Sequence, residues 1–487
     1  MKTINKPLSR RQMLRLLGMS AGAALLAGCG GQATEAPAAA EATKPPEPTQ
    51  APEKPTATKA PAAEAPAAEA VTLRWYANAD PTRNAWMTDV AIPDFASINS
   101  NIKVEPMIVP WDEFDPKLTS MFAANDLPEI FANWGSTGYV EYYLRGMCIA
   151  LDDYLSVDKE FLQIEDIPKS AIDGVTVRGK IVGLPLYILG TYTYYNKELF
   201  NAAGVAYPPS NWDDESWTWD AMLEAAKKLT KNYDDPATGQ YGVVMSLGSP
   251  EELPWLWGHS IWSTETLTSG VADKILTDDP LAIEAYQAQA DLMCKHKVAP
   301  NSAISQAISA TGDPFQAGRV AMNMGGGWGF WTLKEVAGTF KWGAAALPRA
   351  KKGVLQDALY ADPMLISALT PFKDQAWQFL RYIDSVEGMR KFTVATWSPP
   401  SRQALLPDWV NLWAEDLRAE LTESLKGSWK YGVVTPWNRI AGYSQFYDAF
   451  YSELDPANLC EKSMAEVVPV ASQKVNEILA GLPFKRE

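Results

Sequence analysis

The sequence predicts an α/β protein with two bodies, each a mostly parallel sheet flanked by helices. Three observations predict it: a strand–helix alternation beginning at Val71, a second beginning near Tyr192, and a length of 487 residues, enough for two well-buried cores. "VTLRWYA" (Val71 to Ala77) alternates as a strand does, Asn84 to Ile98 has helical spacing, and "NIKVEPMIVP" (Asn101 to Pro110) reads as a second strand. Trp111 to Ala124 follow as a helix and "EIFANW" (Glu129 to Trp134) as a third strand. This βαβαβ order calls for parallel strands with helical crossovers. In the second body a helix falls at Trp219 to Lys231, with strands near Tyr241 to Met245 and Val320 to Met324. Later helices fall at Asp374 to Ser385, Leu412 to Ser424, Ser444 to Leu454 and Ser463 to Leu479.

The amino terminus reads as an address. Lys2, Lys6, Arg10, Arg11 and Arg15 precede a short apolar run, Leu16 to Gly28, too short to span a bilayer, so residues 1–28 read as a signal peptide. "SRRQML" (Ser9 to Leu14) resembles a twin-arginine export signal, and "LAGC" (Leu26 to Cys29) resembles the lipobox of bacterial lipoproteins, which makes Cys29 the lipidated first residue after cleavage. Residues 29–70 are mostly Ala, Pro, Glu, Thr and Lys, with no side chain able to build a core, and are expected to be a disordered tether. Such a tether reaches roughly 35 Å as flexible coil and up to about 120 Å as polyproline II.

The formal charge is -15 and the isoelectric point about 4.8, which argues against nucleic-acid binding. Removing residues 1–28 takes away five basic residues and no acidic ones, leaving a net charge of -20. Nineteen tryptophans are more than cores usually require and point to recognition of flat ligand faces. Cys148, Cys294 and Cys460 remain after Cys29, with no metal-type spacing. They are expected to be buried as small apolar residues, although Cys148 and Cys460 could pair. No cofactor and no metal is expected.

"GLPLYILGTYTYYNKELFNAAGV" (Gly183 to Val205) resembles the family 1 extracellular solute-binding proteins of ABC importers through its Gly-Leu-Pro, apolar strand, Tyr-Asn-Lys, short helix and Ala-Gly order. The resemblance continues through "WTWDAMLEAAKKLT", "FQAGRVAMNMGGGW", "GAAALPRAKKG", "DQAWQFLRYIDSVEGMRKF" and "SPPSR", over nearly all of residues 71–480. It implies a two-lobed periplasmic-binding-protein fold of the type II kind, with lobe 1 at residues 71–186 and about 356–396 and lobe 2 at 187–355 and about 397–487. Leu184 to Leu189 would be the first crossing between lobes, a return would fall between Leu355 and Pro363, and a third crossing near Thr396 to Pro399. It further implies a monomeric, membrane-anchored receptor that is not an enzyme. Such a receptor would bind a sugar in the interlobe cleft and pass it to ABC permease subunits.

Sugars present apolar faces rimmed by hydroxyls, so the site needs aromatic planes beside carboxylates, amides and arginines, placed where strands end at the cleft. Asn78 and Asp80 follow the first strand, and Asn133, Trp134 and Ser136 follow the third. Asp80 is equally a helix cap before Pro81. Trp328 follows an apolar strand and "GGG" (Gly325 to Gly327), where sugar-binding members of the family often place a stacking ring. That glycine run lacks the Gly-Lys-Ser/Thr ending and nearby base of a phosphate cradle. Tyr187 lies on the first crossing and Asp362 near the return, where relatives often carry a glycine pair. "TPWNRIAGYSQF" offers Trp437, Arg439 and Tyr443, and Trp255 with Trp257 forms a further aromatic pair beside Glu251 and Glu252.

Other readings have less material. A secreted glycan hydrolase would need a carboxylate pair in catalytic context. GxSxG is absent, and His259 and His296 are the only histidines. Tyr194 and Tyr195 suggest an iron site, but they belong to the Tyr-Asn-Lys motif, where the tyrosine is structural in relatives. Import of a polyol, peptide or amine is the nearer alternative.

Overall fold

The computed structural model describes residues 70–132, 137–310, 312–336, 338–351 and 354–486. The signal peptide, Cys29 and nearly all of the tether expected from the sequence lie outside the described residues, as do Asn133, Trp134 and Ser136. Residues 67–487 form one compact unit.

The first sheet opens with the parallel strands expected from the sequence. Strand β1 (Val71–Asn78) lies between β2 (Ile102–Val109) and β3 (Ile130–Ala132), parallel to both, and its register with β2 runs from Val71 opposite Ile102 to Asn78 opposite Val109. The helix Trp111–Ala123 crosses back between β2 and β3, with Phe114 and Leu118 buried against the sheet. A two-stranded hairpin, β4 (Thr176–Val177) and β5 (Lys180–Ile181), precedes β6 (Pro185–Leu189).

The second sheet holds β7 (Thr191–Asn196), β8 (Tyr241–Ser246), β9 (Val320–Gly326) and β10 (Trp342–Ala345) in the order β10-β7-β9-β8. Here the expectation of a mostly parallel sheet needs correction. β8 and β9 are parallel, but β7 pairs antiparallel with both β9 and β10. The reason is local: β6 and β7 are separated only by Gly190, so the chain enters this sheet directly from β6, with no crossover helix to set a parallel direction.

Strand β11 (Asp357–Ile366) extends the first sheet. Its first residues pair in parallel with β12 (Gly432–Val434), its middle pairs antiparallel with β6, and Met364 to Ile366 pair antiparallel with β3. The β6–β11 register shifts between Ala361 and Pro363, which places Asp362 at the irregularity. A third segment passes beside them, where Tyr187 makes a single bridge to Pro400.

Two apolar cores follow this division. One gathers β1 to β3, β6, most of β11 and the helices of residues 373–396, and the other gathers β7 to β10 and the helices from Trp219 onward. The Tyr-Asn-Lys motif is structural: Asn196 caps the helix Lys197–Ala203, while Lys197 and Tyr195 both reach Glu420, at 2.6 and 3.1 Å. The helix Met464–Gly481 starts on a capping box of Ser463 and Glu466.

The suggested Cys148–Cys460 pairing is corrected by the structure. Cys294, at the end of the helix Pro280–Cys294, bonds Cys460, with Cα atoms 5.5 Å apart, and Cys148 is free and buried. The bridge closes a separation of 166 residues within the second core region. Replacing Cys294 and Cys460 with Ser is expected to lower unfolding stability by about 2–5 kcal/mol in chemical denaturation. Cys148→Ser measured alongside should cost less, and equal losses would contradict a stabilising bridge.

Candidate functional site

The carboxyl ends of β1 and β3 face the same place. Ala132, the last residue of β3, pairs with Met364, so Pro363 and Asp362 of β11 lie just beyond that edge. Asn78 ends β1, and Asp80 caps the helix Pro81–Trp86 by accepting from the Arg83 backbone amide at 2.8 Å. That cap turns Arg83 inward. Its guanidinium donates to the Tyr187 hydroxyl at 3.2 Å and to Asn78 Oδ1 at 3.4 Å, and lies 3.4 Å from Asp80 Oδ2. Tyr187 in turn donates to Asp362 Oδ2 at 2.6 Å, and its ring stacks on Phe392. The guanidinium also sits 5.4 Å from the ring centre of Trp331, whose indole N–H donates to Ser398. Burial, and then the nearby Asp362 carboxylate, push the Tyr187 hydroxyl well above its ordinary pKa, so it stays a proton donor.

A second set of groups gathers around the first residues of β11. Glu252 accepts from the Tyr360 hydroxyl (2.6 Å), Thr191 Oγ1 (2.8 Å), and the amides of Gly248 (2.7 Å) and Ser249 (2.9 Å). Glu251 accepts from Thr435 Oγ1 (2.8 Å) and the Tyr443 hydroxyl (3.0 Å). Asp357, at the start of β11, accepts from the Thr191 amide at 2.9 Å and from Ser428. The hydroxyls and amides that bond these three buried carboxyls are neutral donors, and burial raises the pKa of all three; that of Glu251 is pushed up to about 7.

Trp328 joins this second set. Its half-buried ring stands edge-on to Tyr360, with centroids 5.1 Å apart. The glycines before it make that possible through close approach rather than a turn, since Gly325 to Gly327 have no positive φ. A Cβ on Gly326 would stand 2.2 Å from the Trp328 ring, and one on Gly248 would stand 2.9 Å from it.

Aromatic planes and carboxyls meeting where strands of two sheets end describe a site for a small solute between two lobes. The sequence matches the family profile of the bacterial extracellular solute-binding proteins over residues 78–390. The chain belongs to that family. A binding protein of Brucella abortus (strain 2308) is 27% identical over 305 residues, which are 61% of this chain and 68% of the relative. A mannitol-binding protein of Pseudomonas aeruginosa is 32% identical over 114 residues, 23% of this chain and 21% of the relative. Among solved structures, an ABC substrate-binding protein from Listeria monocytogenes in complex with cycloalternan superposes with a TM-score of 0.69 at 22% identity, covering 85% of this chain and all of that one. Maltose-bound MalE3 of T. maritima gives a TM-score of 0.65 at 20% identity, covering 84% and 99%. At such identities the likeness carries the fold, which is the two-lobed one.

Within this solute-binding fold, the residues expected from the sequence separate into groups. Asn78, Asp80, Tyr187 and Asp362 come together around Arg83, which the sequence reading did not single out. Trp437, in the 3₁₀ turn Pro436–Asn438, packs at a tilt against Tyr443 and Tyr447, and Arg439 donates to the Leu267 carbonyl at 2.9 Å. Trp255 is 2% exposed and packs within the core that holds β6 and β11. Trp257 likewise packs edge-on against Trp219 in the other core. Among the described residues no cluster of His, Cys, Asp and Glu could hold a metal ion.

The Glu251 carboxyl gives a signed pH dependence. Its folded pKa, about 7, exceeds the ordinary value of 4.5, so the folded state holds the proton more tightly. Stability should therefore fall as pH rises from about 4.5 to about 7 and level off above that. Glu251→Gln should remove a part of this slope on the order of 2–3 kcal/mol in denaturation curves taken from pH 4.5 to 8. Parallel profiles for the two proteins would show that Glu251 titrates normally.

Proposed function

We propose that this chain is an extracytoplasmic receptor that binds a carbohydrate, as a mono- or oligosaccharide, between its lobes and delivers it to an ABC permease in the membrane. The observation that carries the reading is the pairing of ring planes with hydrogen-bonding groups at the crossing strands. Trp328 and Tyr360 form one pair, and Tyr187, Asp362 and Arg83 near Trp331 form the other group. Rings suit the apolar faces of a sugar, and the carboxylate and guanidinium suit its hydroxyls. Support also comes from structural neighbours of the same fold that are described in complex with cycloalternan and with maltose.

The ligand set we propose is Trp328, Asp362, Tyr187, Asp80 and Asn78, with Asn133, Trp134 and Ser136 from the loop after β3, and Trp437, Arg439 and Tyr443 at the periphery. Core membership changes between Leu189 and Tyr192, between Leu355 and Ala358, and at Leu405, which supports placing the lobe boundaries there. The receptor is anchored through lipidated Cys29 on the tether. Among the described residues no helix is long and apolar enough to cross a membrane. The receptor acts as a monomer without enzymatic activity, and transport energy comes from its partners.

A polyol is the second reading, favoured by the mannitol-binding relative and by a structural neighbour from Agrobacterium radiobacter K84 in complex with ribitol (TM-score 0.64, 22% identity). Polyols share the hydroxyls of sugars but lack a ring face, so Trp328 separates the two. In a melting screen of the full chain against sugars, oligosaccharides, polyols, amino acids and peptides, sugars at 100 times Kd should add about 2.7 kcal/mol of stability. Trp328→Ala should weaken the best sugar at least about tenfold, because it removes the stacking plane. Stabilisation by amino acids or peptides alone would overturn the carbohydrate reading, and stabilisation by polyols alone would install the second.

A further inference from the structure

We propose that Trp111 is a rim platform that holds an outer ring of an oligosaccharide, so that the site takes a chain of rings rather than a single one. This rests on the carbohydrate reading above. Trp111 is 52% exposed, an unusual position for the largest apolar side chain. Its place in the fold explains the exposure. β1 and β2 end together, with Asn78 opposite Val109, and the Ala79 amide donates to the Val109 carbonyl at 2.6 Å. Pro110 and Trp111 therefore emerge beside Ala79 and Asp80, on the sheet edge that faces Asp362 and the crossing strands.

The helix that Trp111 begins is fixed to the same edge. Asp115, one turn on, accepts from the Thr137 amide at 3.0 Å, just after the loop that follows β3, and from the Tyr142 hydroxyl. Trp111, Phe114 and Leu118 lie on one helical stripe. Phe114 and Leu118 are buried, and Phe114 packs 4.7 Å from Tyr76 of β1. The same stripe carries Trp111 past the last strand residues, so its indole overhangs the edge instead of entering the core.

The separation sets the ligand class. The strand order is β11-β3-β1-β2, so β2 stands three strand spacings, roughly 14 Å, from β11. Trp328 packs on Tyr360 of β11, and Trp111 follows β2. Two ring platforms therefore mark the ends of an edge longer than one pyranose. Half-exposed Asp80 and exposed Asp112 lie beside the outer one, as acceptors for hydroxyls.

Calorimetric titration of the full chain tests this with two length series, glucose through maltotetraose and glucose through cellotetraose. In one series the wild type should gain affinity up to the trisaccharide. Trp111→Ala should lose about tenfold for the tri- and tetrasaccharide while binding of the shortest ligand stays within about twofold, and Trp111→Phe should restore most of the loss. Because the indole is exposed, the melting temperature of the unliganded variant should not move. An equal effect at every length, or none, overturns the proposal and leaves the indole to another surface such as permease docking. Wild-type binding of glucose alone also overturns it while the carbohydrate reading stands. If neither series binds and the melting screen yields no sugar, both fall.

Discussion

The pairing of β6 with β11 is the constraint on which the rest of the structure depends. In ten residues β11 serves β12, β6 and β3 in turn, and it begins where the chain leaves one core, after Leu355, and enters the other, at Ala358. β6 and β11 run antiparallel within the first core, and each borders a point where the chain changes core, after Leu189 and before Ala358. A lobe movement therefore needs only small dihedral changes at a few residues. The register shift at Asp362 is where such a pair of strands yields most readily.

Two sets of polar groups meet this pair of strands, and their chemistry differs. In the first, Arg83 supplies a positive charge to Asn78, Tyr187 and Asp80, while Tyr187 bonds Asp362, an arrangement with charge available for a solute. In the second, Glu251, Glu252 and Asp357 are buried among hydroxyls and amides, which stabilise a carboxyl less than an ion pair would. Buried polar groups held this way specify one geometry, because every displaced donor leaves an unsatisfied partner. The second set thus fixes the start of β11 against the segment Ser249–Leu256.

Much of the fold was legible in the sequence because local signals coincided with it. The alternation of Val71 to Ala77 and the helical spacing of Trp219 to Lys231 and of the later segments all mark elements that the structure contains. Less local features were not legible. The reversed direction of β7 depends on Gly190 joining two strands without a helix, and the Cys294–Cys460 bond joins residues 166 apart. The role of Arg83 escaped notice because "PTRNAW" reads as an ordinary first helical turn; only the contact with Tyr187, 104 residues away, gives it meaning. Trp255 shows a different ambiguity, since an indole suited to stacking is equally suited to packing in a core.

Distance measurement across the two lobes tests the placement of the site most directly. Nitroxide labels on Val157 and Val470, both exposed and belonging to helices of different cores, report the separation of the lobes by pulsed electron resonance. A solute held between the lobes should shift the distribution to a shorter and narrower one at ligand concentrations that also raise the melting temperature, because only the closed state contacts it from both sides. A solute that stabilises the protein while leaving that distribution unchanged would contradict a site between the lobes.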